Sequence, residues 1–141
     1  SWHVRLRSIG GHGTWRGVDP TDGLATGADD GPIAIITRAD VHRRSWRAFG
    51  KAGRAVDEEL HRAEGLIDVV GVGEAPVGRL ATFSLWESLA AARHFAYSMP
   101  DHVEVMRRTR AEDWYGEEMF ARFEPYGSAG TWNGRDPLAR R

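Results

Sequence analysis

The chain contains one eight-residue phrase twice. Gly13-Thr14-Trp15-Arg16-Gly17-Val18-Asp19-Pro20 returns as Gly130-Thr131-Trp132-Asn133-Gly134-Arg135-Asp136-Pro137, with six of the eight positions identical and an offset of 117 residues. The match runs backwards at the same offset. Val4, Arg5 and Leu6 fall on Ala121, Arg122 and Phe123, and Gly10 falls on Gly127. Each copy reads as a short strand followed by a tail built on Gly, Trp, Gly, Asp and Pro. A spacing of this size belongs to a repeated small domain and not to a solenoid turn. The first copy is only the closing strand and tail of such a unit. Residues 1–20 are therefore expected to end a first repeat whose body is missing. Residues 21–31, rich in Gly and Asp, read as a linker, and residues 32–138 as a complete second unit.

Within that unit the periodicity changes in an ordered way. Ile33-Ala34-Ile35-Ile36-Thr37-Arg38 is a β-branched apolar run and reads as a buried strand. Asp40 can cap a following helix. Trp46, Phe49, Gly53, Val56 and Leu60 then recur at three- and four-residue steps, predicting an amphipathic helix over about 41–63 that ends at Gly65. Leu66 to Val72 and Leu80 to Trp86 read as two further strands. The second of these places Leu80, Thr82, Ser84 and Trp86 on one face and Ala81, Phe83 and Leu85 on the other. Ser88 can cap a second helix. Pro100 suits a first helical turn, so a new helix is expected from near Met99 to about Glu112. Met119 to Glu124 reads as the last strand.

This order is the α+β, ferredoxin-like βαββαβ unit, a four-stranded antiparallel sheet with helices on one face. The bare face needs a cover. A second sheet supplies one in a dimeric α/β-barrel, from a homodimer or from the missing first repeat. The closing strand of that first repeat, over 2–8, is expected to lie against the complete unit or another chain.

Composition narrows the function. The 19 basic residues, of which Lys51 is the only lysine, balance 20 acidic ones for a net charge of -1. That balance makes no electrostatic case for nucleic acid or an anionic membrane. The chain has no cysteine, which excludes disulfides, zinc–thiolate sites and thiolate-ligated haem, and suits a reducing cytoplasm. No membrane span is visible. A phosphate loop, a dinucleotide glycine motif and a Ser–His–Asp set are also absent.

Three segments carry a resemblance. The first is Ala81-Thr82-Phe83-Ser84-Leu85-Trp86-Glu87-Ser88 with Phe95-Ala96-Tyr97, which alone is general to dimeric α/β-barrel monooxygenases. The second runs from Arg107-Arg108-Thr109-Arg110 through Trp114-Tyr115-Gly116 to Phe123. The third is the Gly130 to Leu138 tail. In this order they resemble the spheroidene monooxygenase family, as do the Pro32–Ala39 strand and the stretch 71–76. The resemblance implies a haem-dependent oxygenase on a dimeric α/β-barrel fold, whose members oxidise carotenoids. On related haem enzymes of this fold a histidine on the last helix binds iron.

The resemblance turns attention to the helix after Pro100. Haem b needs an axial donor, and here the choices are His, Met or Tyr. His102 is the first candidate for the iron and His94 the runner-up. The second ring nitrogen of His102 would need a carboxylate or carbonyl partner to fix its tautomer, from Asp101, Glu104 or the main chain. Met106, one turn on, could pack on the porphyrin. Arg107 and Arg108 could pair with its propionates. The plainer readings compete: His102 as a solvated residue at a helix start, Met106 as core, and the arginines paired with Glu104, Glu112 and Asp113. His42 and His61 read as solvated. Ile33, Ile35, Val70, Val72, Phe83 and Leu85 could line an apolar pocket, according to the face each presents.

The expected activity is haem-dependent, monooxygenase-like oxidation of an apolar or small organic substrate by iron-activated oxygen or peroxide. The alternatives are a cofactor-free monooxygenase or isomerase of the same fold, and a haem- or ligand-binding module without turnover.

Overall fold

A computed structural model describes residues 1–19, 31–73, 79–112 and 114–139. The strands are β1 (Trp2–Gly13), β2 (Ile33–Val41), β3 (Leu66–Gly73), β4 (Arg79–Trp86) and β5 (Tyr115–Gly130). The helices are α1 (Trp46–His61), α2 (Leu89–Ser98) and α3 (Pro100–Glu112). The strands form one sheet in the order β1-β5-β2-β4-β3, and every pairing is antiparallel. From β2 to β5 this is the ferredoxin-like unit, and β1 extends it as a fifth strand. Of the 21–31 linker, residues 21–30 lie outside the described residues, as do Pro20 at the end of the first tail and residues 74–78 between β3 and β4.

The apolar run at Ile33 fills the centre of the sheet because both of its faces are covered. Ile33 and Ile35 pack with Trp86, Leu60, Ala92 and Phe95 beneath the helices. Ala34 packs with Leu85 and Ile67 on the opposite face, where Trp2, Leu6, Phe83, Phe123 and Leu138 join them. Each large side chain buried this way contributes about 1.5–3 kcal/mol. The alternation expected along β4 is seen: Trp86 and Ser84 face the helices, joined by an Nε1–H to Oγ bond of 2.9 Å, while Phe83 and Leu85 face away. Ser88 caps α2, its hydroxyl accepting from the Ala91 amide at 3.1 Å.

Two local expectations change. Asp40 is a strand residue of β2, and α1 starts later, after a single 3-10 turn over Arg43–Ser45 that makes no side-chain cap. Backbone pairing of Asp40 with both Arg79 and Glu117 holds it in the sheet. The last strand is also far longer than Met119 to Glu124, because β1 gives its second half a hydrogen-bonding partner.

That partnership is self-symmetric. Trp2 pairs with Gly130 and Gly13 with Met119, and each residue of one pair stands 117 positions from a residue of the other. The ladder slips between Arg5 and Leu6 and again between Ser8 and Gly10, leaving Tyr126 of β5 and Ile9 of β1 without a register partner. These two bulged residues are also 117 apart. The tails obey the same relation. Trp15 bridges Val18 and Trp132 bridges Arg135. Positive φ angles fall at Gly13, Arg16 and Gly17 (80°, 51°, 76°) and again at Gly130, Asn133 and Gly134 (88°, 53°, 80°). The Thr14 amide donates to Glu118 O at 3.0 Å and the Thr131 amide to Ser1 O at 2.9 Å. The sequence repeat is thus a local two-fold between β1 and β5.

Candidate functional site

His102 lies in the first turn of α3, in the helix layer, where its ring packs against Phe95 with centroids 5.0 Å apart. Phe95 belongs to the core under the helices. Nδ1 is 2.9 Å from Ala96 O. A carbonyl only accepts, so Nδ1 carries the proton and Nε2 keeps its lone pair. The partner is therefore main chain, one of the three options open from the sequence. Burial lowers the His102 pKa below 6.5, against the opposing pulls of Ala96 O and the Glu59 carboxylate. Glu59, reaching from α1, also accepts from the His102 amide at 3.2 Å. Among the described residues Nε2 meets no hydrogen-bond partner. A neutral, half-buried imidazole with a fixed tautomer and a free Nε2 has the chemistry of an axial ligand.

The other expected contributors are placed differently. Arg107 is exposed and held by both oxygens of Glu104, at 3.0 and 2.6 Å. Arg108 bonds Glu112 at 2.8 Å and lies over the Trp114 ring, 4.8 Å from its centroid. Both arginines are thus engaged along their own helix. Trp114 itself is 1% exposed and meets Phe49 edge-on. Met106 is half-buried and His94 is exposed on α2. His61 is exposed and bonds Asp57 O. Among the described residues no cluster of three or more His, Asp or Glu could hold a bare metal ion.

On the opposite face of the sheet lies a cleft of about 480 Å³, lined by Ser1, Trp2, Val4, Val70, Phe83, Thr131, Trp132 and Asn133. Its aromatic wall is continuous: Trp2 to Phe83 is 6.4 Å, Trp2 to Trp132 5.7 Å and Phe83 to Trp132 6.1 Å between centroids. Of the six expected pocket residues, Val70 and Phe83 line it. Ile33 and Ile35 belong to the helix-side core and Leu85 to the packed layer beneath. The cleft and His102 stand on opposite sides of the sheet, so this chain does not bring them together.

A third constellation was not anticipated from the sequence. Glu117, at the start of β5, is clasped by the first tail. One carboxylate oxygen accepts from Thr14 Oγ1 at 2.6 Å and from the Gly17 amide at 3.1 Å. The other accepts from the Arg16 amide at 3.0 Å and from Arg38 at 3.1 Å. The left-handed angles at Arg16 and Gly17 turn two successive N–H groups toward one point, an anion nest. The Thr14 hydroxyl, the Gly17 and Arg16 amides and then Arg38 lower the Glu117 pKa to about 2. Arg38 is 3% exposed and lies under the Trp15 ring, 5.0 Å from its centroid. The Thr-Trp-X-Gly phrase carries the nest signal. No spacing rule says which carboxylate fills it.

No family model matches the chain. Over 140 residues it is 33% identical to the spheroidene monooxygenase of Rhodobacter capsulatus, covering 98% of this chain and 58% of that one. The spheroidene monooxygenases of Cereibacter sphaeroides and Rubrivivax gelatinosus are each 34% identical, and the chain spans 43% and 50% of their lengths. It thus spans about half the length of the curated relatives it matches. Among solved structures, Rv0793 from Mycobacterium tuberculosis superposes with a TM-score of 0.60 at 18% identity, over 70% of this chain and 99% of that one. SnoaB, a cofactor-independent oxygenase from Streptomyces nogalater, superposes with a TM-score of 0.55 at 16% identity, over 77% and 100%. The structural likenesses establish the fold. The sequence likeness to spheroidene monooxygenases extends over nearly the whole chain.

Proposed function

We propose that this chain is the second ferredoxin-like unit of a two-repeat oxygenase, with β1 the closing strand of the first, and that it oxidises an apolar organic substrate. The support is the likeness to spheroidene monooxygenases along 98% of the chain, together with an apolar cleft at the seam between the repeat copies. Such a cleft suits an extended hydrocarbon better than a charged metabolite. Its seam position allows a preceding repeat, or a second copy in a homodimer, to complete its walls.

The reading that haem b takes part rests on one observation. His102 has its Nδ1 proton committed to Ala96 O at 2.9 Å, and the lowered pKa keeps the ring neutral. The His102 imidazole would be the group to hold the iron. Haem bound there would supply one-electron and oxygen chemistry to a chain without a redox-active thiol. Ala96 O orients the imidazole and Glu59 pins the first turn of α3 through the His102 amide. Phe95 excludes water from one side of the ring. Arg107 and Arg108 would have to leave their glutamates to meet propionates, so this role does not pass to them.

Titrating the purified protein with haemin and reading its visible spectrum tests the reading. A Soret band that sharpens at one equivalent and is lost in His102→Ala, but kept in His94→Ala, is expected. A band unaffected by His102→Ala would end the assignment. Turnover with a reductant or peroxide separates an enzyme from a module that only holds haem.

The cleft favours a second reading, cofactor-independent oxygenation on the helix-free face. It predicts that apolar ligands quench the fluorescence of Trp2 and Trp132 in a protein that takes up no haem.

A further inference from the structure

The second tail runs from the end of β5 over the helix-free face. Leu138 joins the apolar layer of Ala34, Ile67 and Leu85 there, and Arg135 reaches Ile67 O of β3 at 3.5 Å. One half-buried side chain of this tail, Asp136, is tied to the cleft. Its Oδ1 accepts from the Trp2 indole Nε1–H at 3.2 Å and from the Leu138 amide at 3.0 Å. The Ser128 hydroxyl, on β5, donates to the same carboxylate, 3.3 Å from each oxygen. Asp136 therefore links the core-anchored end of the tail to Trp2, which stands in the aromatic wall of the cleft. Held by Ser128 and by the backbone ahead of it, the carboxylate presents a fixed acceptor to the indole.

The repeat shows which part of this arrangement is special to the cleft. Asp19 and Asp136 hold the same place in the two tails, each followed by proline. The side-chain donors do not recur. At the 117-residue offset Trp2 corresponds to Met119 and Ser128 to Gly11, and neither methionine nor glycine carries a side-chain N–H or O–H. The aspartate thus belongs to the tail motif, while its bond to an indole exists only in the copy that lines the cleft. An indole turns about two side-chain torsions, and a fixed acceptor at Nε1 selects one orientation of the ring. In that orientation Trp2 meets Phe83 at 6.4 Å and Trp132 at 5.7 Å between centroids.

We propose that Asp136 is a positioning residue of the apolar cleft: by holding Trp2 Nε1 it fixes the wall against which an apolar substrate packs. It acts through Trp2 and lies outside the cleft lining. The inference rests on the reading of the cleft as the substrate site. What the wall needs from Asp136 is an oriented acceptor and not a charge, so an amide oxygen serves as well.

Binding of Nile red, read by its fluorescence, tests this in a cycle of Asp136→Ala, Trp2→Phe and the two together. Phenylalanine keeps an apolar ring in the wall and removes the donor. Each single change should weaken binding about fivefold, the worth of one hydrogen bond. In the Trp2→Phe background, Asp136→Ala should add less than about twofold, since the bond is already gone. Asp136→Asn should bind as the parent does. The Trp2 indole proton resonance, identified by its loss in Trp2→Phe, should shift in Asp136→Ala and stay near its parent position in Asp136→Asn. If Asp136→Ala costs as much affinity in the Trp2→Phe background as in the parent, or none in the parent, Asp136 does not position the wall. Trp2→Phe leaves Asp136 its bonds to Ser128 and Leu138, so unchanged affinity in that variant overturns the assignment even where Asp136→Ala unfolds. Val70→Glu reports on the cleft itself. Dye affinity indifferent to Val70→Glu overturns the cleft reading and this assignment with it. Affinity that falls in Val70→Glu and ignores both Asp136→Ala and Trp2→Phe overturns this assignment alone.

Discussion

Ile9 and Tyr126 are the two residues left out of the β1–β5 ladder, and they occupy the same position in the repeat. A bulge changes which face each following residue presents. Two bulges at equivalent positions cancel, so the ladder returns to its starting register on either side. The bulge at Tyr126 sets Phe123 on the face that Trp2 and Leu6 share, and the three reach one apolar layer. The same symmetry sets Arg122 across Gly10, whose Cβ would meet the guanidinium, and Arg5 beside Gly127.

Gly13 and Gly130 should be equally intolerant of a side chain. Their φ angles are 80° and 88°, and a Cβ would strike Glu118 O in one case and Ser1 O in the other. Both conflicts are with backbone, which cannot rotate away. Gly13→Ala and Gly130→Ala should each cost about 1–3 kcal/mol in denaturant unfolding. A loss confined to one would contradict the equivalence of the tails.

Glu117 should make stability depend on acid. Its folded pKa is depressed to about 2 from 4.5, so its contribution is present above about pH 4.5 and fades as pH falls toward 2. Glu117→Gln should lower the melting temperature at pH 6, and the gap to the parent should close between pH 4.5 and 2. A gap that stays constant over that range would mean the carboxylate charge is not what the clasp reads.

His102 should act in a higher window. Its folded pKa lies below 6.5, so the unfolded chain takes the proton first and stability falls as pH drops below about 6.5. His102→Asn can keep a donor near Ala96 O without a titrating ring. Melting curves from pH 7.5 to 5 should be flatter for this variant than for the parent, and equal slopes would show that the imidazole is not held neutral.

The cleft should bind apolar probes through its aromatic wall. Val70 is 43% exposed, so Val70→Glu should leave the fold intact while placing a charge against Phe83 and Trp2. Binding of an apolar fluorescent dye should weaken about tenfold, equivalent to ~1.4 kcal/mol. Unchanged affinity would move the binding surface elsewhere.

Much of the architecture is legible in local pattern. The period of two along β4 separates Trp86 from Phe83, and the Ser88 cap marks where α2 begins, because both signals depend on neighbours in sequence. The start of α1 was not legible: Asp40 resembles a cap, yet pairing with strands distant in the chain holds it in β2. The site divides the same way. His102 could be singled out by its helix and its resemblance, but its partner Ala96 O depends on how α2 meets α3. Arg107 and Arg108 followed the shorter-range rule, pairing within three or four residues. The Glu117 clasp joins groups about a hundred residues apart, and only the nest half of it is written in a local phrase.

The outermost strand also bears on how the chain acquires its structure. Trp2 donates to Asp136 across 134 residues, and among the described residues every backbone bond that β1 makes within the sheet is to β5, the last strand along the chain. β1 thus waits for β5 before it can make these bonds. Such non-local closure slows folding. During that wait β1 presents Trp2, Val4 and Leu6 on an open strand, the kind of surface that pairs wrongly with other chains.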